Sequence, residues 1–522
     1  MVSNKGFARA TVIVSVLSVL SKIMGFVREQ LVAWLFGASG LTDAYVVALA
    51  IPTVLTGVIS NPVSTAFLPV FASYVARDDT KGATRLASSV ITLSVGAFLL
   101  AGLAAIPFAP ALVRLYAPGF SGHVFDSAVG LTRLFFPAFA LPLLGALYKG
   151  ILNTYKEFTV PGIAPFVQNL CIVGLTALLA PALGVRGLAI ATVAGYLAFN
   201  LIQVPWVRRL RLGLSFMPEV SPGTKQVANL ALPLMVGGLA TQLYTLVDKN
   251  LASRLAQGSI AALNFAGRIR YLPIDLFVTA VITVVFPALS EMWARKDEQA
   301  MGETLITGAR FALFVCVPSA VGLAVLAKPV VRIAFERGAF TGTATLLTAG
   351  ALSVYSLGIV GLALCRIVDV GFYSSQNTWY PVLLALGVSC VNIVYDLVLV
   401  GPLGHIGLAL ANVLASWLGA AAGLILYTKH IAGVNFRPLI GSGLKILLSS
   451  AVMGICAWAL GTYSGVIAGT GSLTQDIILT FIAVGVSVLV YLACAFILKC
   501  EELVLITNIV RRRLGNSGKE SS

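Results

Sequence analysis

The sequence predicts an all-α polytopic membrane protein. It has two parallel lobes of six helices each and two further helices toward the C-terminal end. Three observations predict this. The chain of 522 residues is 58% hydrophobic and only 11% charged, with mean hydropathy +0.95, more apolar surface than a soluble domain of this length can bury. Its apolar runs reach about 20 residues or more, the length that carries a helix across a bilayer. The pattern is also written twice, in register. Gly187-Leu188-Ala189-Ile190-Ala191-Thr192-Val193 recurs as Gly407-Leu408-Ala409-Leu410-Ala411-Asn412-Val413, and Val113-Arg114-Leu115 recurs as Val331-Arg332-Ile333. Pro69 before Arg77 recurs as Pro287 before Arg295, and Gly150 before Pro161 as Gly371 before Pro381. Membrane folds built from two such halves place their site at the repeat interface.

About fourteen segments follow, with boundaries good to a few residues. Segment 1 (8–36) contains Lys22, Arg28 and Glu29 and ends in no small-residue cleavage site, so it reads as a retained helix and not a signal peptide. Segment 2 (42–75) carries Pro52, Pro62 and Pro69, and segment 4 (127–154) carries Pro137 and Pro142, all candidate kinks. Segments 3 (84–113), 5 (161–183) and 6 (187–207) complete the first lobe. Segments 7 to 12 (226–254, 260–294, 304–327, 344–373, 381–401 and 406–428) repeat it. An even number per lobe returns the chain to the same side, so the lobes are parallel repeats about an axis along the membrane normal. Segments 13 (438–461) and 14 (474–498) lie outside the repeat. The domain reading is therefore 1–215 and 216–432 for the lobes, 433–500 for the added pair, and 501–522 for a cytoplasmic tail. Residues 500–514 mix apolar and charged side chains and suit a short interfacial helix, followed by a disordered end.

Orientation follows from Lys and Arg. One set of loops holds Lys5/Arg9, Arg77/Lys81/Arg85, Lys156, Arg208/Arg209/Arg211/Lys225, Arg295/Lys296, Lys429/Arg437/Lys445 and Arg511/Arg512/Arg513/Lys519. The opposite set holds Arg114, Arg186, Arg254, Lys328, Arg332 and Arg337. The richer side is cytoplasmic by the positive-inside rule, which puts both termini in the cytoplasm. The net charge of +15 fits such loops and anionic lipids better than nucleic acid. Alternating ten-residue strands are absent, which argues against an outer-membrane barrel. Seven Cys lie scattered in apolar runs without metal spacing, and three His do not cluster. With no Walker loop, nucleotide fingerprint or serine elbow, an enzyme or ATP-driven pump is not indicated.

Charges inside membrane segments are costly and mark cavities or partners. Segment 1 holds Lys22, Arg28 and Glu29; Lys22 and Arg28 diverge by about 120° around the helix. Segment 8 holds Arg268 and Arg270, and segment 10 holds Arg366 with Asp369 one turn on. An excess of cations in both halves suits a multiply anionic ligand such as a pyrophosphate head group, and argues against a cation-expelling exporter. The alternative is that the arginines snorkel from helix ends and that Arg366–Asp369 is a structural pair. A second constellation is acidic and confined to the second half: Asp248, then Asn392 and Asp396 on one helix face, then Asn412 at the repeat position of Thr192. Carboxylate and amide oxygens are hard ligands fit for Na⁺, or for a proton relay. The alternative pairs Asp248 with Lys249 and makes Asn392 a helix–helix hydrogen bond.

These residues resemble the MurJ/MviN lipid II flippase family of the multidrug/oligosaccharidyl-lipid/polysaccharide exporter superfamily, over about residues 10–500. The resemblance is carried by Ser21-Lys22-Ile23-Met24-Gly25-Phe26-Val27-Arg28-Glu29, by Phe36-Gly37-Ala38 with Thr42-Asp43-Ala44, and by Ala117-Pro118-Gly119-Phe120. Further matches are Gly150-Ile151-Leu152-Asn153-Thr154, Leu263-Asn264-Phe265-Ala266-Gly267-Arg268 and Gly371-Phe372-Tyr373-Ser374-Ser375-Gln376-Asn377. It implies an alternating-access flippase for undecaprenyl-pyrophosphate-linked muropeptide in the bacterial cytoplasmic membrane. It also implies cavity arginines at Arg28 and Arg268, a basic residue at Lys22, and acidic residues at Glu29 and Asp43. A sodium site is implied at Asp248, Asn392, Asp396 and Asn412 with the carbonyl of Leu408. Segments 13 and 14 would form a groove for the lipid tail. The implied partners are lipid II or a similar lipid-linked glycan, anionic membrane lipids and cell-wall synthesis proteins, with no cofactor beyond Na⁺ as coupling ion.

One departure stands out. Many family members carry an arginine and then a Glu-Gly pair in the middle of segment 2, where this chain reads Leu55-Thr56-Gly57-Val58-Ile59-Ser60-Asn61-Pro62. Either fewer charges hold the head group, or Arg270 or Arg366 substitutes, or the cargo is another lipid-linked glycan such as an exopolysaccharide precursor. A non-transporting membrane scaffold is the reading from a different class. The charged interior speaks against it.

Overall fold

The computed structural model describes residues 4–216, 219–431, 433–467 and 472–503. Within them every predicted segment is helical. In chain order these are α1 (Asn4–Phe36), α2 (Gly40–Ala76), α3 (Thr80–Tyr116), α4 (Gly122–Thr154), α5 (Thr159–Leu183) and α6 (Val185–Arg209). They continue as α7 (Pro222–Ser253), α8 (Ser259–Ala294), α9 (Glu298–Val325), α10 (Gly342–Leu357 with Ile359–Ser374), α11 (Trp379–Leu403), α12 (His405–His430), α13 (Arg437–Tyr463) and α14 (Leu473–Ile497). Among the described residues, eleven of these are long and apolar enough to cross a bilayer, and α10, bent by 46° at its break, makes a possible twelfth. The other two, α1 and α7, contain charges within their length: Lys22, Arg28 and Glu29 in one, Asp248 and Lys249 in the other. Most of the predicted interfacial helix at 500–514, and the tail beyond it, lies outside the described residues.

The outer faces are apolar. Ile440, Leu444, Leu448 and Ile455 on α13 are exposed, as are Ile478, Phe481, Leu489 and Phe496 on α14. Rows of this kind are tolerated when the surrounding solvent is lipid, and helices are suited to it because they satisfy their own backbone groups.

The repeat is visible in the backbone. α2 carries a π-helical turn at Thr56–Ser60, and α8 carries one at Ile274–Val278, the same offset that relates Pro69 to Pro287. Left-handed residues recur as Asp78 and Lys296, Lys156 and Gln376, and Gly184 and Gly404. Each of the last pair caps one helix and opens the next, α5 to α6 and α11 to α12, with φ of 58° in both. A left-handed residue at such a junction favours glycine.

Contacts divide the chain into two compact units, Met1–Ala261 with Arg337–Phe340, and Ala262–Glu336 with Thr341–Ser522. In the first, α1 packs on α5, α5 on α6, α2 on α4, and α7 on α2. Sequence repetition assigns α7 to the second lobe, but packing assigns it to the first unit. The approach is close: a Cβ at Gly238 of α7 would stand 2.8 Å from the Gly57 carbonyl oxygen in the π-turn of α2. The short stretch Arg337–Phe340 joins the first unit through the Ala339 N–H, which donates to the Trp34 carbonyl (2.8 Å).

In the second unit α11 packs on α12, α9 on α10 and α13, and α13 on α14. α14 is fastened along its length. A capping box of Ser472 and Gln475 starts it. Asp476 in its first turn pairs with Arg332, and the Tyr491 hydroxyl donates to the Phe314 carbonyl (2.7 Å). Just past its end, Glu502 accepts from Arg310 Nε (2.6 Å) and from the Ser442 hydroxyl (2.6 Å).

Candidate functional site

In the first unit the site begins with Arg28 on α1. Its Nη2 donates to Glu29 Oε1 (2.9 Å) and its Nη1 to Asn169 Oδ1 on α5 (3.2 Å). The Arg28 side chain remains 24% exposed, against 10% for Glu29. A guanidinium held by one carboxylate and one amide still has donors to spare, so it can meet an anion without first losing its local partners. Asn169 is itself held by an Nδ2 bond to the Pro165 carbonyl (3.0 Å). Lys22, earlier on α1, is exposed.

Asp43 is bonded to backbone. Its Oδ2 accepts from the Gly258 N–H (2.6 Å) and its Oδ1 from the Ala261 N–H (2.7 Å). The carboxylate thus sits at the N-terminus of α8, where unpaired amides and the helix dipole favour negative charge. It is 3% exposed, so its bonding capacity is spent on backbone. Asp248, on α7, pairs with Lys249 at 3.4 Å.

In the second unit Arg268 and Arg270 lie two positions apart on α8 and meet different surroundings. Arg268 is exposed. Arg270 is 4% exposed. Its Nη1 donates to Asn412 Oδ1 of α12 (2.6 Å) and its Nη2 to the Tyr271 hydroxyl (3.3 Å). The guanidinium carbon stands 4.1 Å from the Tyr355 ring centre and 4.9 Å from that of Tyr271, so two ring faces help offset its desolvation. Arg366 on α10 is exposed and Asp369 half-buried.

Asn392 and Asp396 lie on α11, 3% and 0% exposed, and Leu408 on α12 is 1% exposed. Neither Asn392 Oδ1 nor its Nδ2 has a hydrogen-bond partner among the described residues, so the helix–helix bond offered as the other reading of this residue is not formed there. A buried amide without a protein partner costs free energy, and its oxygen is open to a ligand. The oxygens of Asn392 and Asp396 thus suit a hard cation. Asn412 suits it less, because its oxygen already faces a guanidinium. Asp248 belongs to the first unit and the other four residues to the second.

A model of the family described as lipid II flippase MurJ matches residues 32–491. The chain belongs to the MurJ family. A lipid II flippase MurJ of Burkholderia cenocepacia is 33% identical over 417 residues, covering 77% of this chain and 80% of that protein. A probable lipid II flippase MurJ of Vibrio cholerae is 29% identical over 480 residues, 88% and 90% of the two chains. Among solved structures, one described as lipid II flippase MurJ in an inward closed conformation superposes with TM-score 0.79 at 27% identity, over 93% of this chain and 98% of that one. A multidrug resistance MATE family transporter shares the fold alone, with TM-score 0.69 at 16% identity. Membership makes the protein a multi-pass transporter of the bacterial inner membrane and not an enzyme.

Sequence reasoning passed over several partners of these charges. Asn169, Tyr271 and Tyr355 are a common residue type in a helix, and only proximity in three dimensions gives them a role. Asp476 was passed over because it opens the most apolar segment and reads as a first-turn acid. The Asp476–Arg332 pair links residues far apart in sequence, so no local spacing announces it.

Proposed function

We propose that the protein carries undecaprenyl-pyrophosphate-linked peptidoglycan precursor, lipid II, from the cytoplasmic to the outer leaflet by alternating access, with both termini in the cytoplasm. The observation that supports it most is Arg28. It is a partly exposed guanidinium inside a membrane helix, positioned by Glu29 and Asn169 and keeping free donor capacity. Such a group suits the pyrophosphate, for which a planar fork of donors is well matched. Arg268, exposed on α8, supplies a second cation of the same kind in the other unit. Lys22 and Arg366, both exposed, add to the basic character. The two repeats are the lobes that rock, and α13 with α14 forms the wall along which the lipid tail stays in hydrocarbon. Keeping each methylene out of water is worth about 0.8 kcal/mol. Asp396, Asn392, the Leu408 carbonyl and Asn412 of the second unit form the site of a coupling cation. Anionic lipids neutralise the basic loops, and cell-wall synthesis proteins are the natural neighbours of the delivered product.

The test is complementation of a bacterial strain depleted of its own lipid II flippase. Growth and normal cell shape on expression of the wild-type chain support the reading, and lysis despite membrane-inserted protein refutes it. A second reading has one observation in its favour. The π-turn Thr56–Ser60 and its flanks hold no basic residue, although the family resemblance implies an arginine there, so the cargo of a divergent member is another undecaprenyl-pyrophosphate glycan. Failure to complement, together with restored export of such a glycan in a strain lacking that flippase, selects it.

A further inference from the structure

We infer that Arg270 is a built-in cation of the second unit: its guanidinium holds the Asn412 carboxamide oxygen, and a sodium ion takes that oxygen only when the guanidinium leaves it. The inference rests on the reading of Asp396, Asn392 and Asn412 as an ion site, and it adds the residue that sets the affinity of that site.

Three features carry it. The first is the bond itself. Arg270 Nη1 stands 2.6 Å from Asn412 Oδ1, so the oxygen that would face an incoming cation already faces a positive charge. Two cations on one amide oxygen are only a few ångströms apart, and in a poorly screened interior they repel strongly. The second is how the guanidinium is held. It rests against the faces of Tyr355 on α10 and Tyr271 on α8, and its Nε has no hydrogen-bond partner among the described residues. Ring faces, one amide oxygen and the Tyr271 hydroxyl are all neutral partners, which hold a cation without neutralising it.

The third is an internal control within the chain. Thr192, at the repeat position of Asn412, is held differently: its hydroxyl bonds the Tyr45 hydroxyl (3.0 Å) and donates to the Leu188 carbonyl (2.8 Å). The second half has exchanged this neutral pair of hydroxyls for an amide and a guanidinium. The exchange occurs on the half that also carries the buried Asn392 and Asp396. Sodium binding and docking of Arg270 on Asn412 are therefore alternatives. Occupation of the ion site is read out as a movement of a side chain on α8, the helix that also carries Arg268.

The experiment is equilibrium binding of radiolabelled Na⁺ to the purified full-length protein in detergent, with choline as the replacement cation. The wild type is compared with Arg270→Gln, Tyr355→Leu, Asp396→Asn and the double variant Arg270→Gln/Asp396→Asn. Arg270→Gln keeps a donor for Asn412 and removes the charge, and is expected to bind Na⁺ about tenfold tighter or more. Tyr355→Leu keeps the charge and removes one face of its cradle, and is expected to gain about threefold; it is the independent check should Arg270→Gln not fold. The double variant is expected to lose the gain. If Arg270→Gln and Tyr355→Leu bind Na⁺ no tighter than the wild type while Asp396→Asn abolishes binding, the inference is overturned and the ion site stands. If no variant binds Na⁺, or if binding ignores Asp396→Asn, the ion site and the inference fall together.

Discussion

Arg28 and Arg270 lie in different units and share one contact, a bond to an asparagine oxygen, Asn169 in one case and Asn412 in the other. Their surroundings differ in everything else. Arg28 has a carboxylate beside it and keeps about a quarter of its side chain exposed. Arg270 has two aromatic faces, no neighbouring carboxylate among its hydrogen-bond partners, and almost no exposure. A charge with a local counter-ion and open donors is prepared for an anionic ligand. A charge enclosed by rings and an amide is already a ligand of the protein. Residue type alone therefore does not assign a membrane arginine to substrate; what remains unsatisfied around it does.

The largest effect follows directly. Arg28→Ala is expected to abolish complementation by a protein that still inserts and elutes as a folded species, and Arg28→Lys to retain part of the activity, because lysine keeps the charge and loses the fork. Binding of a soluble pyrophosphate head-group analogue is expected to fall by at least tenfold in Arg28→Ala, and by much less in Arg270→Ala. Equal losses in the two variants would break the contrast and return Arg270 to the substrate side.

Asp43 sharpens the same distinction for an acid. Both of its oxygens accept backbone N–H groups, from Gly258 and Ala261, so its role is to hold the start of α8. Asp43→Ala removes two charge-assisted bonds and orphans two buried amides, a loss of about 4 kcal/mol. The measurement is the melting temperature in detergent beside head-group affinity. A large fall in the first with no separate fall in the second places Asp43 with the framework; unchanged melting with lost affinity would make it a binding residue.

Much of this was legible in the sequence, and the reason is solvent. In lipid the backbone must bond within each helix, so apolar length and proline placement locate helices almost without competition. The repeat then predicted the halves, and it reappears as paired π-turns at Thr56–Ser60 and Ile274–Val278. What the sequence concealed is packing. α7 repeats α1 in sequence, yet its small Gly238 lets it lie against the Gly57 carbonyl in the first unit. The in-membrane charges were also legible as a set, because charge in an apolar run is conspicuous. Their sorting was not. Arg268 and Arg270 differ by two positions and one is exposed while the other is buried, an outcome decided by Tyr355 and Asn412 on other helices.

The two ends of α14 extend the comparison to charges committed wholly to structure. At its start Asp476, 1% exposed as a side chain, pairs with Arg332, which also meets Glu336 at 3.2 Å. Asp476→Ala deprives a largely buried guanidinium of its most buried carboxylate and is expected to cost about 3 kcal/mol. The loss should show as a lower melting temperature and as cleavage by protease in the loop before α14. Head-group affinity is expected to stay unchanged, since Asp476 is far in sequence and in bonding from Arg28 and Arg268. A loss of affinity without a loss of stability would mean that this pair, too, is poised and not pinned.

The smallest effect lies at the other end of α14, where two adjacent glutamates share Arg310. Glu502 is 1% exposed as a side chain and bonds Arg310 Nε at 2.6 Å; Glu501 is 71% exposed and bonds Arg310 Nη2 at 2.7 Å. The hydrogen bond from Arg310, and then its charge, hold the Glu501 carboxyl below the usual range. A depressed carboxyl stabilises the fold above the unfolded value, about 4.3, and that contribution is lost as pH falls through the folded value. Glu501→Gln should therefore melt slightly below the wild type at pH 7, by about 0.5 kcal/mol given solvent screening of so exposed a pair, and the gap should close as pH falls below that range. Salt at about 1 M should close it too, because the Debye length is then about 3 Å. Glu502→Gln, which removes the buried carboxylate, is expected to cost more at pH 7 and to resist salt. If the two variants respond to salt alike, exposure is not what separates a pinned charge from a screened one at this end of the helix.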